Sequence, residues 1–189
     1  MLRGLRVGEP VARESTILKV VDKAGASGRL LFVTVGHETT DKAGIAIREE
    51  QDLVYQAASN TAVPPEPAAE PIAGSHRESA AIDSTLLFRY SALTGNGHRI
   101  HYDRDYAVNE EGYAGLVVHG PLQAILLANL ARRLRADREL TEFAFRGRRP
   151  ALLHQCPLGL EAWQEGSALL LRTVNTHGTV CTTATARFA

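Results

Sequence analysis

Through residues 1–57 the apolar positions alternate or fall in short β-branched blocks, and no helical period is visible. Val11 to Val21, Leu30 to Val35 and Ile45 to Tyr55 read as strands, separated by turn-forming stretches at Gly25–Gly28 and Asp41–Gly44. Three long antiparallel strands without a helix are therefore expected. Leu30, Phe32, Ile45 and Val54 are expected to line one apolar face of them. A wet apolar face of that size marks an association surface. The strands are accordingly expected to extend the sheet of the second half, and the particle to be a homodimer or larger.

Residues 58–85 change character. Pro64, Pro65, Pro67 and Pro71 lie among alanines and glutamates with Gly74 and Ser75, the composition of an extended linker. From Leu86 a strand-like run to Leu93 ends in the turn-forming Gly95-Asn96-Gly97. Gly120-Pro121 then opens the one clear helical pattern, since proline suits the first helical position. Leu122, Ile125, Leu126, Leu130 and Leu134 mark one face of it. Ala124, Leu127 and Ala128 make its first turns apolar nearly all round, the pattern of a buried helix. Arg132, Arg133 and Arg135 gather at its end, where cations complement the helix dipole. Beyond it, Thr141–Arg146, Ala151–His154, Gly159–Gln164, Ala168–Val174 and Thr179–Ala186 read as strands, with a hairpin turn at Asn175–Gly178. An antiparallel sheet wrapped around one long helix, an α+β arrangement, buries such a helix.

Composition narrows the class. The chain has 189 residues, 44% of them hydrophobic, with Lys+Arg and Asp+Glu balanced at 21 each. No net field recruits nucleic acid or an acidic membrane. Cys156 and Cys181 are too few for a disulfide framework and have no neighbours at metal-ligand spacing, so they are expected to be buried free thiols. There is no apolar run of the roughly 20 residues a membrane span needs, and no signal-peptide core at the N-terminus. A cytoplasmic location is expected, with an organelle matrix the alternative.

The candidate chemistry is concentrated in two stretches. Tyr90 to Asp103, Tyr-Ser-Ala-Leu-Thr-Gly-Asn-Gly-His-Arg-Ile-His-Tyr-Asp, places Asn96, His98 and His101 together around a turn. Gly115-Leu-Val-Val-His-Gly-Pro-Leu122 leads into the helix, whose N-terminus offers free N–H groups to an anion or a polarised carbonyl. An imidazole with a pKa of about 6.5 exchanges protons near neutrality, which makes His101 the candidate base. His98-x-x-His101 with Asp103 also has the residue types of a metal site. Metal ligands of this kind usually project from a helix or paired strands, and no metal is expected at this turn.

These two stretches together resemble the MaoC-like hot-dog dehydratases, in particular the mesaconyl-CoA (itaconyl-CoA) hydratases and the mitochondrial-type 3-hydroxyacyl-thioester dehydratases. The resemblance covers 86–189 as a complete hot-dog domain carrying the catalytic loop. Val33 to Tyr55, with Val-Gly-His-Glu and Ile-Arg-Glu-Glu-Gln-Asp, is similar to the later strands of an N-terminal hot-dog half. It implies a double hot-dog whose N-terminal half, residues 1–57, lacks its first strand and helix, with 58–85 as the connection. The related (R)-specific hydratases carry an aspartate where this chain has Asn96, and an asparagine where it has His98; both changes are typical of the mesaconyl-type branch.

The resemblance implies a hydro-lyase acting across the α,β bond of a short enoyl or 3-hydroxyacyl thioester, with branched and dicarboxylic acyl groups included. In that reading His101 is the base, Asn96 orients water or the thioester, and the Gly120 N–H stabilises the enolate oxygen. Tyr90, His98, Arg99 and His119 are the candidate substrate-binding residues. No cofactor is expected, and the partner is an acyl-CoA or acyl-carrier thioester. Arg132, Arg133, Arg135, Arg146, Arg148 and Arg149 are candidates for the coenzyme A phosphates or an acidic carrier, although such clusters are usually only solvated. Two alternatives stand beside this: a hot-dog thioesterase, for which no carboxylate lies between Gly115 and Leu130, and a non-catalytic protein that binds acyl thioesters or a partner subunit.

Overall fold

The computed structural model describes residues 2–25, 28–56 and 68–189. It divides into two units, Met1–Val63 and Pro64–Ala189. In the first, strands β1 (Ala12–Gly25), β2 (Gly28–Asp41) and β3 (Gly44–Gln56) form an antiparallel sheet in that order. Two hairpins satisfy most of the backbone of these strands among themselves, and they form a sheet of their own instead of extending that of the second unit. At the β2–β3 turn Gly44 adopts φ 100°, and Asp41 caps the reversal by accepting from the Ala43 N–H at 2.7 Å. The Arg3 guanidinium, followed by that Ala43 bond, pulls the Asp41 carboxyl down to about 2.

Register decides which face of this sheet is apolar. Ile17 pairs with Val35, Val20 with Val33 and Val33 with Leu53, so these residues share a face with Leu31 and Tyr55. The expected residues Leu30, Phe32, Ile45 and Val54 do share a face, with Val54 opposite Phe32 and Ile45 opposite Thr40, but it is the more polar of the two. It also carries the Thr34–Asp52 hydrogen bond and the Arg48–Glu38 ion pair, and Lys23 lies over the Phe32 ring.

The second unit is a five-stranded antiparallel sheet in the order β4-β6-β7-β8-β5. Its strands are β4 (His76–Ala80), β5 (Leu140–Gly147), β6 (Leu158–Glu165), β7 (Ala168–Val174) and β8 (Val180–Phe188). Among the described residues three α-helices accompany it: α1 (Ser84–Thr94), α2 (Arg104–Asn109) and α3 (Gly120–Leu134). Leu127, Leu130 and Ala131 of α3 pack on Leu160 and Ala162 of β6, Leu169 and Leu171 of β7, and Ala184 and Ala186 of β8. Within that interface the buried Gln123 Oε1 accepts from Thr173 Oγ1 at 2.7 Å and Thr182 Oγ1 at 3.1 Å, fixing the helix to the middle of the sheet. The helix is not buried all round: Ile125 is 47% exposed.

Three expectations are corrected here. Leu86–Leu93 is not a strand but the body of α1. Asp83 caps it, and Leu87 and Ser91 lie on its buried side at a helical spacing that alternation obscures. The fifth strand is instead β4, which lies inside the stretch read as linker and pairs with β6, Glu78 opposite Leu160. Ala151–His154 makes only a bridge, Leu152 to Val117, before a 3-10 turn at Leu153–Gln155. Of the linker's prolines, Pro64, Pro65 and Pro67 lie outside the described residues. Ala69 and Glu70, which follow, are tied to Gly178 and Arg172 by hydrogen bonds of 2.8 Å each. Cys181 is buried and Cys156 half-buried, both as free thiols. No described helix is long and apolar enough to cross a membrane.

Candidate active site

Helix α1 delivers the chain to the site. Asp83 accepts from the Leu86 N–H at 2.7 Å at its start. Gly95 ends it at φ 65°, a left-handed conformation that glycine reaches without strain. The Asn96 N–H returns to the Ser91 carbonyl at 2.9 Å, and the chain reverses into a 3-10 turn at Arg99–His101. That turn lies against the segment leading into α3. The Val117 N–H donates to the Ile100 carbonyl at 3.0 Å, and His101 Nδ1 lies 2.7 Å from the Val117 carbonyl oxygen.

A carbonyl only accepts, so His101 Nδ1 carries the proton and Nε2 presents its lone pair. Burial pushes the His101 pKa below its ordinary value. The Val117 bond opposes this, and His98 adds to the lowering. At neutral pH the imidazole is therefore the free base.

The His119 ring is stacked on that of His101, with centroids 3.6 Å apart and planes 18° from parallel. His119 is the residue before α3 and is 0% exposed. Its Nε2 lies 2.9 Å from Ser91 Oγ on α1, and the Tyr90 ring meets it edge-on at 4.8 Å. Burial, then the neighbouring His101, lowers its pKa to about 4. Its Nδ1 is the one buried side-chain nitrogen or oxygen among the described residues without a hydrogen-bond partner. Gly120 follows as the first residue of α3; a Cβ placed on it would meet nothing within 4 Å, so there is room beside the helix start.

The other sequence candidates on this turn make contacts of their own. Asn96 Oδ1 accepts from the His98 N–H at 3.1 Å and holds the turn. The exposed His98 ring stands 5.8 Å from that of His101, with its Nε2 3.3 Å from Glu111. Arg99 is engaged away from the histidines: it pairs with Asp103 at 2.6 Å and lies 4.3 Å over the Tyr106 ring. Asp103 also caps α2 through the Tyr106 N–H at 3.1 Å. Among the described residues no three His, Cys, Asp or Glu side chains are grouped to hold a metal ion. Of the arginines at the end of α3, Arg133 pairs with Glu78 and Arg135 with Gln164.

Sequence reasoning missed Ser91 and the Val117 carbonyl. A strand reading puts Tyr90 and Ser91 on opposite faces, whereas α1 turns both toward His119. The available signal was Asp83 as a cap, Leu86, Leu87, Tyr90 and Ser91 at helical spacing, and Gly95 as a stop. Nothing in the residue type marks a backbone carbonyl such as that of Val117.

Comparison with known proteins bears on this arrangement. The family described as hydroxyacyl-thioester dehydratase type 2 matches residues 1–153. The chain is 43% identical over 182 residues to the mesaconyl-C(4)-CoA hydratase of Chloroflexus aurantiacus, which covers 96% of this chain and 64% of that protein. It therefore spans less than two thirds of that relative's length. Among solved structures, HtdX of Mycobacterium tuberculosis superposes with a TM-score of 0.71 at 22% identity, covering 98% of this chain and 72% of that one. A MaoC-like dehydratase from Phytophthora capsici gives 0.70 at 14% identity, covering 100% and 68%. The fold is thus the MaoC-like hot-dog, an antiparallel sheet around a central helix.

Proposed function

The chain belongs to the hydroxyacyl-thioester dehydratase type 2 family, and on that footing we propose that it adds or removes water across the α,β bond of a short acyl thioester, with His101 as the base. The observation that carries the reading is the His101 Nδ1–Val117 bond, which leaves the Nε2 lone pair of a neutral imidazole to act. In hydration, Nε2 takes a proton from water as the hydroxide oxygen bonds to the β-carbon. The π electrons move onto the thioester oxygen, and the enolate then accepts a proton at the α-carbon from the His101 imidazolium. The Gly120 N–H, at the positive end of the α3 dipole, stabilises the negative charge on that oxygen. The Asn96 amide nitrogen, free of the bond that holds Oδ1, orients the water.

The names of the relatives support, as the substrate we propose, a short enoyl or 3-hydroxyacyl thioester of coenzyme A or an acyl carrier, with four-carbon-backbone dicarboxylic acyl groups the first to test. The test is a panel of enoyl- and 3-hydroxyacyl-CoA thioesters, read by absorbance of the conjugated thioester and by free thiol. Hydration or dehydration by the wild-type chain, lost in His101→Ala, is the expected result. Thiol release instead would mean a thioesterase. Binding without turnover, with His101→Ala indistinguishable from wild type, would overturn the catalytic reading.

A further inference from the structure

The unpartnered Nδ1 of His119 calls for an account, because buried polar groups in native proteins are almost always hydrogen-bonded and the exceptions often serve function. Its protonation state follows from its neighbour. If Nε2 carried the ring proton and donated to Ser91, the Ser91 hydroxyl proton would need another acceptor, and no described residue supplies one. If Ser91 Oγ–H donates to Nε2 across the 2.9 Å contact, the hydroxyl is satisfied and the ring proton sits on Nδ1. The second arrangement leaves one group unsatisfied, the Nδ1–H, which lacks an acceptor. Nδ1 adjoins Cγ and so lies close to its own backbone, at the start of α3, where the first N–H groups have no helical partner. His119 makes no side-chain cap bond to them, and its ring stacks 3.6 Å from the His101 ring.

Resting on the hydro-lyase reading, we propose that His119 is a catalytic residue: its neutral imidazole donates Nδ1–H to the thioester oxygen beside the Gly120 N–H, and Ser91 is the positioning residue that holds this tautomer. A neutral imidazole can serve as such an electrophile, and it lowers the barrier without a proton changing hands. Burial and the adjacent His101 keep it neutral across the working pH range. The two stacked rings then have different tasks, His101 moving protons and His119 stabilising charge.

Two substitutions separate this role from a structural one, because an asparagine amide overlies the Nδ1 side of a histidine and a glutamine amide the Nε2 side. Steady-state hydration is measured for wild type, His119→Ala, His119→Asn, His119→Gln, Ser91→Ala and His101→Ala, with circular dichroism as the fold check. Loss of one oxyanion donor costs about 10²–10³ in kcat. His119→Ala and His119→Gln are expected to show that loss with KM little changed, and His119→Asn to recover at least about tenfold over alanine. The tautomer is read independently of turnover, in two-bond ¹H–¹⁵N spectra of the full chain: Nδ1–H for His119 in wild type, and a mixture in Ser91→Ala. Equal or better activity in His119→Gln than in His119→Asn, wild-type activity in His119→Ala, or an Nε2–H tautomer in wild type would each overturn the proposal. If a variant does not fold, the wild-type tautomer decides. Failure of the wild type to turn over any thioester refutes the hydro-lyase reading instead, while activity lost only in His101→Ala refutes the role of His119 alone.

Discussion

Acid should loosen the second unit through His119, and the size of the effect can be worked out. A free histidine titrates at about 6.5, and burial with the neighbouring His101 brings His119 down to about 4 in the fold. The folded value lies below the unfolded one, so on acidification the unfolded chain takes up the proton first. The stabilisation is whole above about pH 6.5 and is lost as pH falls toward 4. At 1.36 kcal/mol per pH unit the whole interval amounts to about 3 kcal/mol, of which about 2 kcal/mol falls between pH 7 and 4.5. His119→Gln stays uncharged throughout and keeps a polar atom near Ser91, while the acidic groups it leaves untouched titrate equally in both proteins. The assay is urea unfolding from pH 7 to 4.5, followed by Trp163, the single tryptophan of the chain, which lies on β6 and so reports on this unit. The stability difference between wild type and His119→Gln should shift by about 2 kcal/mol toward the variant on acidification. Parallel curves would show that His119 is not held neutral by the fold.

Four further outcomes are expected. Asn96→Asp puts a carboxylate on the turn that carries His101 and is expected to raise the imidazole pKa and move the acid limb of the hydration profile to higher pH with partial activity kept; an unmoved limb would detach Asn96 from the site. Leu127→Ala empties a fully buried position under the sheet and should cost about 2–5 kcal/mol in the same urea assay, so a cost under about 1 kcal/mol would contradict the packing of α3. Asp83→Ala removes the cap of α1 and should cost about 1 kcal/mol, with no change if the segment were extended. The apolar face of Ile17, Val20, Val33 and Val35 leads to the expectation of a dimer or larger particle by light scattering at micromolar concentration, and a monodisperse monomer would refute it.

Much of the fold was legible because its period was clean. The β1–β3 hairpins follow from β-branched runs between turn residues, and α3 follows from Gly120-Pro121 with apolar residues at helical spacing. α1 reads as a strand from its apolar run alone. Leu86, Leu87 and Phe88 form a short apolar run that suits a strand as well as a helix, and the choice rests on Asp83 and Gly95 at its two ends. β4 is half-exposed and short, and its place beside β6 is set by pairing partners more than by its own residues.

The candidate site divides along the same line. His101, His119 and Gly120 could be named from the sequence because their residue types carry chemistry and their motifs are local. Their relation could not. That His101 is held by the Val117 carbonyl, that His119 stacks upon it, and that Ser91 faces His119 from α1 depend on three segments meeting in space. A side chain's type sets which protons it can hold or give. Which nitrogen holds the proton, and at what pH, is set by the burial and the hydrogen-bond partners that only the tertiary structure supplies.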